Sequence, residues 1–481
     1  MKNVALHNLG CKVNSYEIEV MQQKLQEKGY KIVPFDEKAD IYIINTCTVT
    51  NIADRKSRQM LHRAKKQNPD AVVVAVGCYV QTGKEQVEKD ECIDLAIGNH
   101  KKSEMVTLLE EYLERRQQER NASGAAKKKE GQPAGQETAG ETGGKKIDKT
   151  LDGRTMLDLS APKAYEEMTL AQTAEHTRAY IKIQDGCNQF CSYCIIPFAR
   201  GRVCSRTAKE ILSEIKGLCE KGYQEFVFTG IHISSYGMDL KGENYNTSEM
   251  RGDELLELVK KICAIKDVKR LRLGSLEPSI VTERFVKELS TLPQVCPHFH
   301  LSLQSGCNAT LKRMNRRYTT EEFEQSVRLL RQYFVNPAIT TDVITGFPGE
   351  TEEEFAGTQA FLEKIRFFEM HIFPYSRREG TVAASMQGQL TEAVKKERSH
   401  VLIEMERRQS LQYREQFVGQ EEEILLEEEK NVDGKRYMIG HTARYVKAAV
   451  EQTEEGRYRS NQFVKGMVTG LLGEDTLVVT A

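Results

Sequence analysis

Residues 187–194 carry three cysteines, Cys187, Cys191 and Cys194, in a Cys-x3-Cys-x2-Cys run within "DGCNQFCSYCIIP". Thiolates this close in one loop can converge on a metal. A structural zinc site closes with four ligands, and Cys204 or His232 are the candidates for the fourth. A ferredoxin-type cluster also needs a fourth cysteine. The third reading is a 4Fe-4S cluster held by three thiolates, with one iron left open for an exogenous ligand. The setting favours this last reading: the run follows the first strand of a barrel-like region, and the aromatic Tyr193 stands just before the last cysteine.

A second trio is spread over the N-terminal region. "VALHNLGC" ends at Cys11, "DIYIINTC" at Cys47 and "AVVVAVGC" at Cys78. Each is a short apolar run suited to a buried strand. Helical patterns, "NSYEIEVMQQKLQEKG" and "IADRKSRQMLHRAKKQ", lie between them, and this alternation predicts a parallel sheet with helices on its faces. Ligands of such sheets bind beyond the carboxyl ends of the strands, so three cysteines at three strand ends are expected to share one crevice.

The elements that must position these residues follow from the rest of the chain. At 481 residues it exceeds a single ordinary core. The net charge of −1 supplies no global pull toward nucleic acid, so any such contact must come from local basic patches. The N-terminus lacks the apolar core of a signal peptide, and no run approaches the roughly 18 apolar residues of a membrane span. A cytoplasmic protein with no membrane partner is expected. Twelve cysteines in a reducing compartment point to metal or redox chemistry for those that cluster.

The fold class read from these patterns is α/β, in three parts. An N-terminal parallel α/β domain covers 1–117. Residues 118–172 read as a flexible linker because "NASGAAKKKEGQPAGQETAGETGGKKIDKT" has almost no large apolar side chain. Six strand–helix repeats over 173–410, from "AYIKIQ" to "FFEMHIFPYS", predict a partial (β/α)6 TIM-like barrel with its chemistry at the strand C-termini. A small all-β, OB-like module at 411–481 is basic through Lys435, Arg436, Arg444, Lys447, Arg457, Arg459 and Lys465. Its charge is equally that of a solvated surface or of a nucleic-acid face.

The context "GCNQFCSYCIIP" resembles the radical S-adenosylmethionine enzymes, in which the open iron is ligated by S-adenosylmethionine. "LGCKVNSYE", "INTCTVT" and "VGCYVQ", followed by the radical motif and a basic β module, resemble the methylthiotransferase family over nearly the whole chain. "LGCKVN", "IPFARGR" and "HIFPYSRREGT" are most similar to its branch acting on threonylcarbamoyladenosine in tRNA. Sister branches act on isopentenyladenosine in tRNA or on a ribosomal-protein aspartate.

The resemblance implies two 4Fe-4S clusters, one on Cys11, Cys47 and Cys78 and one on Cys187, Cys191 and Cys194. It implies S-adenosylmethionine as cosubstrate, a TRAM module at the C-terminus, tRNA as partner, a reductant such as flavodoxin or ferredoxin, and a sulfur donor. The reaction implied replaces the C2 hydrogen of the adenine at tRNA position 37 with a methylthio group. Cosubstrate contacts implied are Tyr193 behind the adenine, Gly230 near the methionine end, Ser275 and Glu277 near the ribose or sulfonium, and Ile344, Gly346 and Glu350 of "ITGFPGE". Arg200 and Arg202 are expected on the cosubstrate carboxylate or on tRNA phosphate. Arg55, Lys56, Arg58 and Arg63, with Lys435 and Arg444, are the expected RNA contacts. A non-enzymatic iron–sulfur or zinc-stabilised RNA-binding protein is the rival class. Cys92, Cys204, Cys219, Cys263, Cys296 and Cys307 receive no role.

Overall fold

A strand covered on both faces must be apolar along its whole length. The strands ending before Cys47 and Cys78 meet this requirement: every residue of each is buried. The computed structural model describes residues 2–129, 153–172, 177–242, 250–453 and 456–481. These fall into two units. The first comprises Met1–Ala161, Glu166–Thr169 and Phe198–Arg200, the second Pro162–Tyr165, Leu170–Pro197 and Gly201–Ala481.

In the first unit the elements run β1 (Asn3–Asn8), α1 (Lys12–Glu27), β2 (Lys31–Val33), β3 (Ile41–Thr46), α2 (Asn51–Gln67), β4 (Val72–Gly77), α3 (Cys78–Thr82), α4 (Lys84–Lys89), β5 (Leu95–Ile97) and α5 (Met105–Lys129). The five strands form one parallel sheet in the order β2-β1-β3-β4-β5. The order reverses direction between β1 and β3, which is the switch point where open α/β sheets leave a crevice. Pairing of Asn8 with Asn45 and of Thr46 with Gly77 brings the three cysteine-bearing strand ends level.

The expected linker differs in its described part. α5 runs through the 117/118 boundary, and Leu159, Met168 and Leu170 are buried. Thr155 O accepts from Gly98 N at 2.8 Å, Leu157 O from Gln81 Nε2 at 2.9 Å, and Met168 O from Tyr16 Oη at 2.6 Å. Apolar residues sparse in sequence but aimed at the core are enough to order this segment. Residues 130–152 and the boundary at 172/173 lie outside the described residues in whole or in part.

The second unit begins with β6 (Arg178–Lys182) and β7 (Gln184–Asp185), then α6 (Ile196–Arg200, whose last three residues belong to the first unit), β8 (Cys204–Ser205), α7 (Ala208–Glu220), β9 (Glu225–Thr229), α8 (Asp253–Cys263) and β10 (Arg270–Arg272). It continues through α9 (Glu283–Ser290), β11 (His298–His300), α10 (Asn308–Arg313), α11 (Thr320–Tyr333), β12 (Ala338–Thr345), α12 (Glu352–Ile365), β13 (Glu369–Pro374), α13 (Val382–Ser385) and α14 (Glu392–Glu415). β6-β9-β10 and β11-β12-β13 are parallel sheets, joined by parallel bridges Leu271–Val295 and Leu276–Leu301. Six strands in sequence order thus make the expected partial barrel. Reciprocal capping boxes start α7 (Thr207, Glu210), α11 (Thr319, Glu322) and α12 (Thr351, Glu354), which satisfies otherwise orphaned helix N–H groups.

α14 crosses the expected 410/411 boundary, and the closed barrel that follows is β14 (Glu421–Val432), β15 (Lys435–Thr442), β16 (Lys447–Glu451), β17 (Phe463–Leu472) and β18 (Thr476–Thr480). It docks on the N-terminal ends of the core strands, away from the ends where chemistry is expected. Arg272 donates to Thr442 O and Ala443 O, each at 2.7 Å, and Arg270 to Glu423 O at 2.8 Å. Tyr445 lies under the guanidinium groups of Arg178 and Arg272, each 4.8 Å from its ring. Glu225, fully buried, pairs with Arg272 at 2.6 Å and Arg270 at 3.5 Å.

Burial alone would raise the Glu225 pKa, but Arg272, Arg178 and Arg270 together hold it below the usual carboxylate range. Its contribution to stability is therefore complete above the unfolded value of about 4.3 and is lost as pH falls through the lower folded value. Glu225→Ala leaves two buried cations without their shared anion. It is expected to destabilise the second unit by about 3–5 kcal/mol, read as a lower denaturant midpoint at pH 7. The difference from wild type should shrink in acid.

Candidate active site

The first trio is built by the turns that leave three adjacent strands. Cys11 is the N-cap residue of α1, and no side-chain cap bond occupies its thiol. Cys78 opens α3, and Cys47 follows β3 directly. Gly10 has φ +103°, and a Cβ there would lie 2.9 Å from both Cβ and Sγ of Cys47, so only glycine lets the two turns approach. Ser57 Oγ bonds both the amide and the carbonyl of Cys47, and Asn99 Nδ2 reaches Cys78 Sγ at 3.4 Å. Burial pushes the Cys47 thiol up to about 11, with Cys78 and Cys11 adding to the rise. Cys11 is exposed on one side, yet its thiol is raised as well, by desolvation first and then by Cys78.

Beneath this trio lies a buried polar network. Glu17, Lys102 and Arg200 are each 1 % exposed. Glu17 pairs with Lys102 and, at 2.9 Å, with Arg200, whose Nη2 also donates to Asn14 Oδ1 at 2.5 Å. The structure therefore places Arg200 elsewhere than expected. It sits inside the first unit, where its charge favours ionised Cys11 and Cys47. Arg202 is exposed and lies 4.6 Å over the Phe190 ring.

The second trio sits in a loop clamped at its base by the antiparallel β7–β8 ladder. Gly186 has φ +69°, and a Cβ there would sit 1.9 Å from Arg202 O. Cys187 N donates to Gly201 O at 3.0 Å, Ser192 N to Met314 O at 3.0 Å, and Asn315 Nδ2 to Phe190 O at 2.9 Å. Burial raises the Cys187 thiol, and Cys194 and Cys191 raise it further; Cys194 is pushed up to about 12 by burial and then Cys191. Thiols that oppose one another's ionisation in a dry site are stabilised as thiolates by a bound metal.

A single tetrahedral zinc holds its sulfurs about 3.8 Å apart. Among the described residues, the groups of three His, Cys, Asp or Glu with all ligand atoms within 4.8 Å of one another include none of the six trio cysteines. The trio cysteines are thus not drawn to the spacing of a single ion. His232 is engaged elsewhere, with Nδ1 2.5 Å from Ser235 Oγ and Nε2 3.4 Å from Glu277, and Cys204 is paired in the β7–β8 ladder.

Arg316 is the residue that sequence reading missed. Its side chain is only 7% exposed, and it donates to Cys191 Sγ at 3.2 Å, to Glu277 Oε1 at 2.7 Å and through Nε to Tyr318 Oη at 3.0 Å. Burial opposes the charge of Glu277, but Arg316 and His232 draw its pKa down to about 2. Nothing in the run "KRMNRRYTT" marks Arg316 above its neighbours; the contact is set by where the chain after β11 turns back.

Of the expected cosubstrate residues, Tyr193 meets Phe347 edge-on at 6.4 Å, and Tyr193 and Ile344 both pack against the cluster of Met314, Phe347, Tyr375 and Ala383. Ser275 is exposed and bonded to Ser302 at 2.7 Å. The glycines have packing roles of their own. A Cβ on Gly230 would lie 3.0 Å from Gln184 O, and one on Gly346 (φ +69°) would lie 2.4 Å from Lys395 Cγ. Glu350 pairs with Arg398 at 2.6 Å. Of the expected RNA contacts, Arg55, Lys56 and Arg58 are exposed on α2, while Arg63 pairs with Asp36 at 2.5 Å and Lys435 with Glu451 at 3.4 Å. Arg444 differs, being occupied by Glu422 at 2.9 Å and by the carbonyls of Asn336 and Val335.

A partial barrel with three thiols in the loop after its first strand is the architecture of a radical S-adenosylmethionine enzyme. The Radical SAM superfamily matches residues 181–362, and Uncharacterized protein family UPF0004 matches residues 3–98. The chain is 38% identical to Threonylcarbamoyladenosine tRNA methylthiotransferase MtaB of Bacillus subtilis (strain 168), over 95% of this chain and 92% of that protein. It is 34% identical to the tRNA-2-methylthio-N(6)-dimethylallyladenosine synthase of Methylacidiphilum infernorum, over 91% and 86%. The radical S-adenosylmethionine methyltransferase TsrM of Kitasatospora setae, solved with cobalamin and a [4Fe-4S] cluster, shares the fold at a TM-score of 0.53 and 16% identity, covering 79% of this chain and 77% of that one. The chain belongs to the radical SAM methylthiotransferases.

Gly10→Ala is expected to cost the first trio its iron while leaving the second intact, so reconstituted protein should hold about four irons instead of about eight. Hydrogen bonds to cluster sulfurs raise reduction potentials, so Arg316→Gln should make the second site harder to reduce in an EPR-monitored redox titration.

Proposed function

We propose that this chain adds a methylthio group to C2 of N6-threonylcarbamoyladenosine at position 37 of tRNA. The observation that carries the reading is the 38% identity over 95% of the chain to a threonylcarbamoyladenosine tRNA methylthiotransferase. The two open cysteine trios support it. Cys11, Cys47 and Cys78 hold one 4Fe-4S cluster, and Cys187, Cys191 and Cys194 hold the other. When bound, the clusters and S-adenosylmethionine supply radical chemistry and a sulfur source, which an aromatic C–H requires because no side-chain base can usefully deprotonate it.

The chain's own residues prepare the sites. Three strand-end turns hold the first set of thiols, and Glu17 neutralises part of the paired cations beneath them. Arg316 orients Cys191 and is itself locked by Glu277. Tyr193 and Phe347 form an apolar wall for the cosubstrate adenine, with Ser275 and Gly230 bordering its more polar end. Arg55, Lys56, Arg58 and Arg63 on α2 contact tRNA phosphates, which positions the RNA without reading its sequence. The target base leaves its stack to expose C2. A low-potential carrier such as flavodoxin or ferredoxin supplies electrons, and a separate donor supplies sulfur. The work takes place in the cytoplasm; no helix of the described residues is long and apolar enough to cross a membrane.

The test is mass spectrometry of tRNA nucleosides from cells lacking the gene. The 2-methylthio derivative of N6-threonylcarbamoyladenosine should vanish, return with the wild-type gene, and stay absent with Cys47→Ala or Cys191→Ala. Normal levels in the deletion strain, or loss of the isopentenyladenosine derivative instead, would reject the reading.

A further inference from the structure

Along β11, β12 and β13, side chains alternate between two faces. Phe299, Ile339, Val343 and Met370 enter the core cluster beneath the helices. The opposite, concave face carries His300, Asp342 and His371, one from each of three neighbouring strands, and Asp342 is paired in register with His371. Their ligand-type atoms all lie within 4.8 Å of one another. His300 is engaged on both nitrogens, Nδ1 with Thr340 Oγ1 at 3.0 Å and Nε2 with Asp342 Oδ2 at 3.4 Å. Its ring stacks on that of His371, 5.9 Å between centroids and 24° between planes. His371 is exposed and Asp342 keeps 31% of its side-chain surface open, so these two are accessible to a ligand while His300 fixes them. The group sits close to the chemistry: Arg316, which bonds Cys191, also donates to Ser302 O at 3.3 Å, on the segment that leaves His300.

Three such groups can hold a divalent metal, but a histidine with both nitrogens turned to protein partners is arranged as a support, not a ligand. We propose that Asp342 and His371 recognise the polar N6 substituent of the target adenosine, Asp342 accepting a ureido N–H and His371 donating to the carboxylate, with His300 as their positioning residue. The inference rests on the threonylcarbamoyladenosine reading above. An isopentenyl group offers neither the carboxylate nor a ureido N–H beyond the ring amine. A site built for hydrogen bonds rejects such a substituent because its own polar groups are left unpaired.

The experiment uses the full, reconstituted chain and three anticodon stem–loop RNAs. Position 37 carries threonylcarbamoyladenosine, its threoninamide analogue, or isopentenyladenosine. The readout is the ratio of kcat/KM between RNAs, which does not depend on the fraction of enzyme that folds. Wild type should favour the carboxylate over the carboxamide by about tenfold or more, and over isopentenyl by about 100-fold or more. His371→Leu should bring the carboxylate-to-carboxamide ratio to about one. Asp342→Asn should narrow the ratio to isopentenyl by about tenfold. Wild-type ratios retained in both variants would overturn the inference while leaving the reaction intact. A wild-type enzyme active only on the isopentenyl RNA would instead overturn the reading on which it rests. Zinc or manganese bound stoichiometrically by a protein with all six trio cysteines changed to serine, and lost in Asp342→Asn, would also overturn it.

Discussion

Neighbouring strands of a parallel sheet lie about 4.8 Å apart, and each ends in a turn on the same edge. That spacing is the constraint on which the first site depends. Three thiols carried three, one and one residues past three adjacent strands have little freedom in where they converge. The approach is tightened by Gly10, whose missing side chain lets the turn after β1 rest on Cys47. The sheet order places this edge at the β1/β3 switch point, where open α/β sheets leave a crevice.

The second site uses a different device. Its thiols come from one loop, and a loop alone would be mobile. Here a two-residue ladder closes its base and the chain around Met314–Arg316 grips its middle. The Arg316–Glu277 pair is buried and charged on both partners, a combination that is unfavourable unless each charge is matched. Matching the arginine to both a carboxylate and a thiol fixes Cys191 in direction. The same economy of paired charge recurs at the far end of the barrel, where Glu225 balances Arg270 and Arg272 and holds the small β-barrel to the core strands.

Much of this was legible in the sequence. The apolar runs before Cys11, Cys47 and Cys78 announced buried parallel strands, and the strand–helix repeats announced the partial barrel. The caps at Thr207 and Thr319, by contrast, were found only in the structure. Charge was less informative. Arg200 and Arg444 read as free cations and are in fact buried or docked, because a basic residue looks the same in sequence whether it meets solvent or a carboxylate far along the chain. The segment after residue 153 was drawn into the linker by the apolar-poor stretch 121–150 before it, although its own Leu159, Met168 and Leu170 are buried.

The sequence by itself determined the ligand types, their spacing and the order of strands, since hydrophobic period and local turn chemistry are short-range properties. Only the tertiary structure decided which distant groups meet: Arg316 with Cys191, Glu17 with Lys102 and Arg200, and His300 with Asp342 and His371. Arg316 and Cys191 are 125 residues apart, and Arg200 and Glu17 are 183 apart. Strand register and helix packing bring them together, and neither leaves a local mark on the residues that it joins.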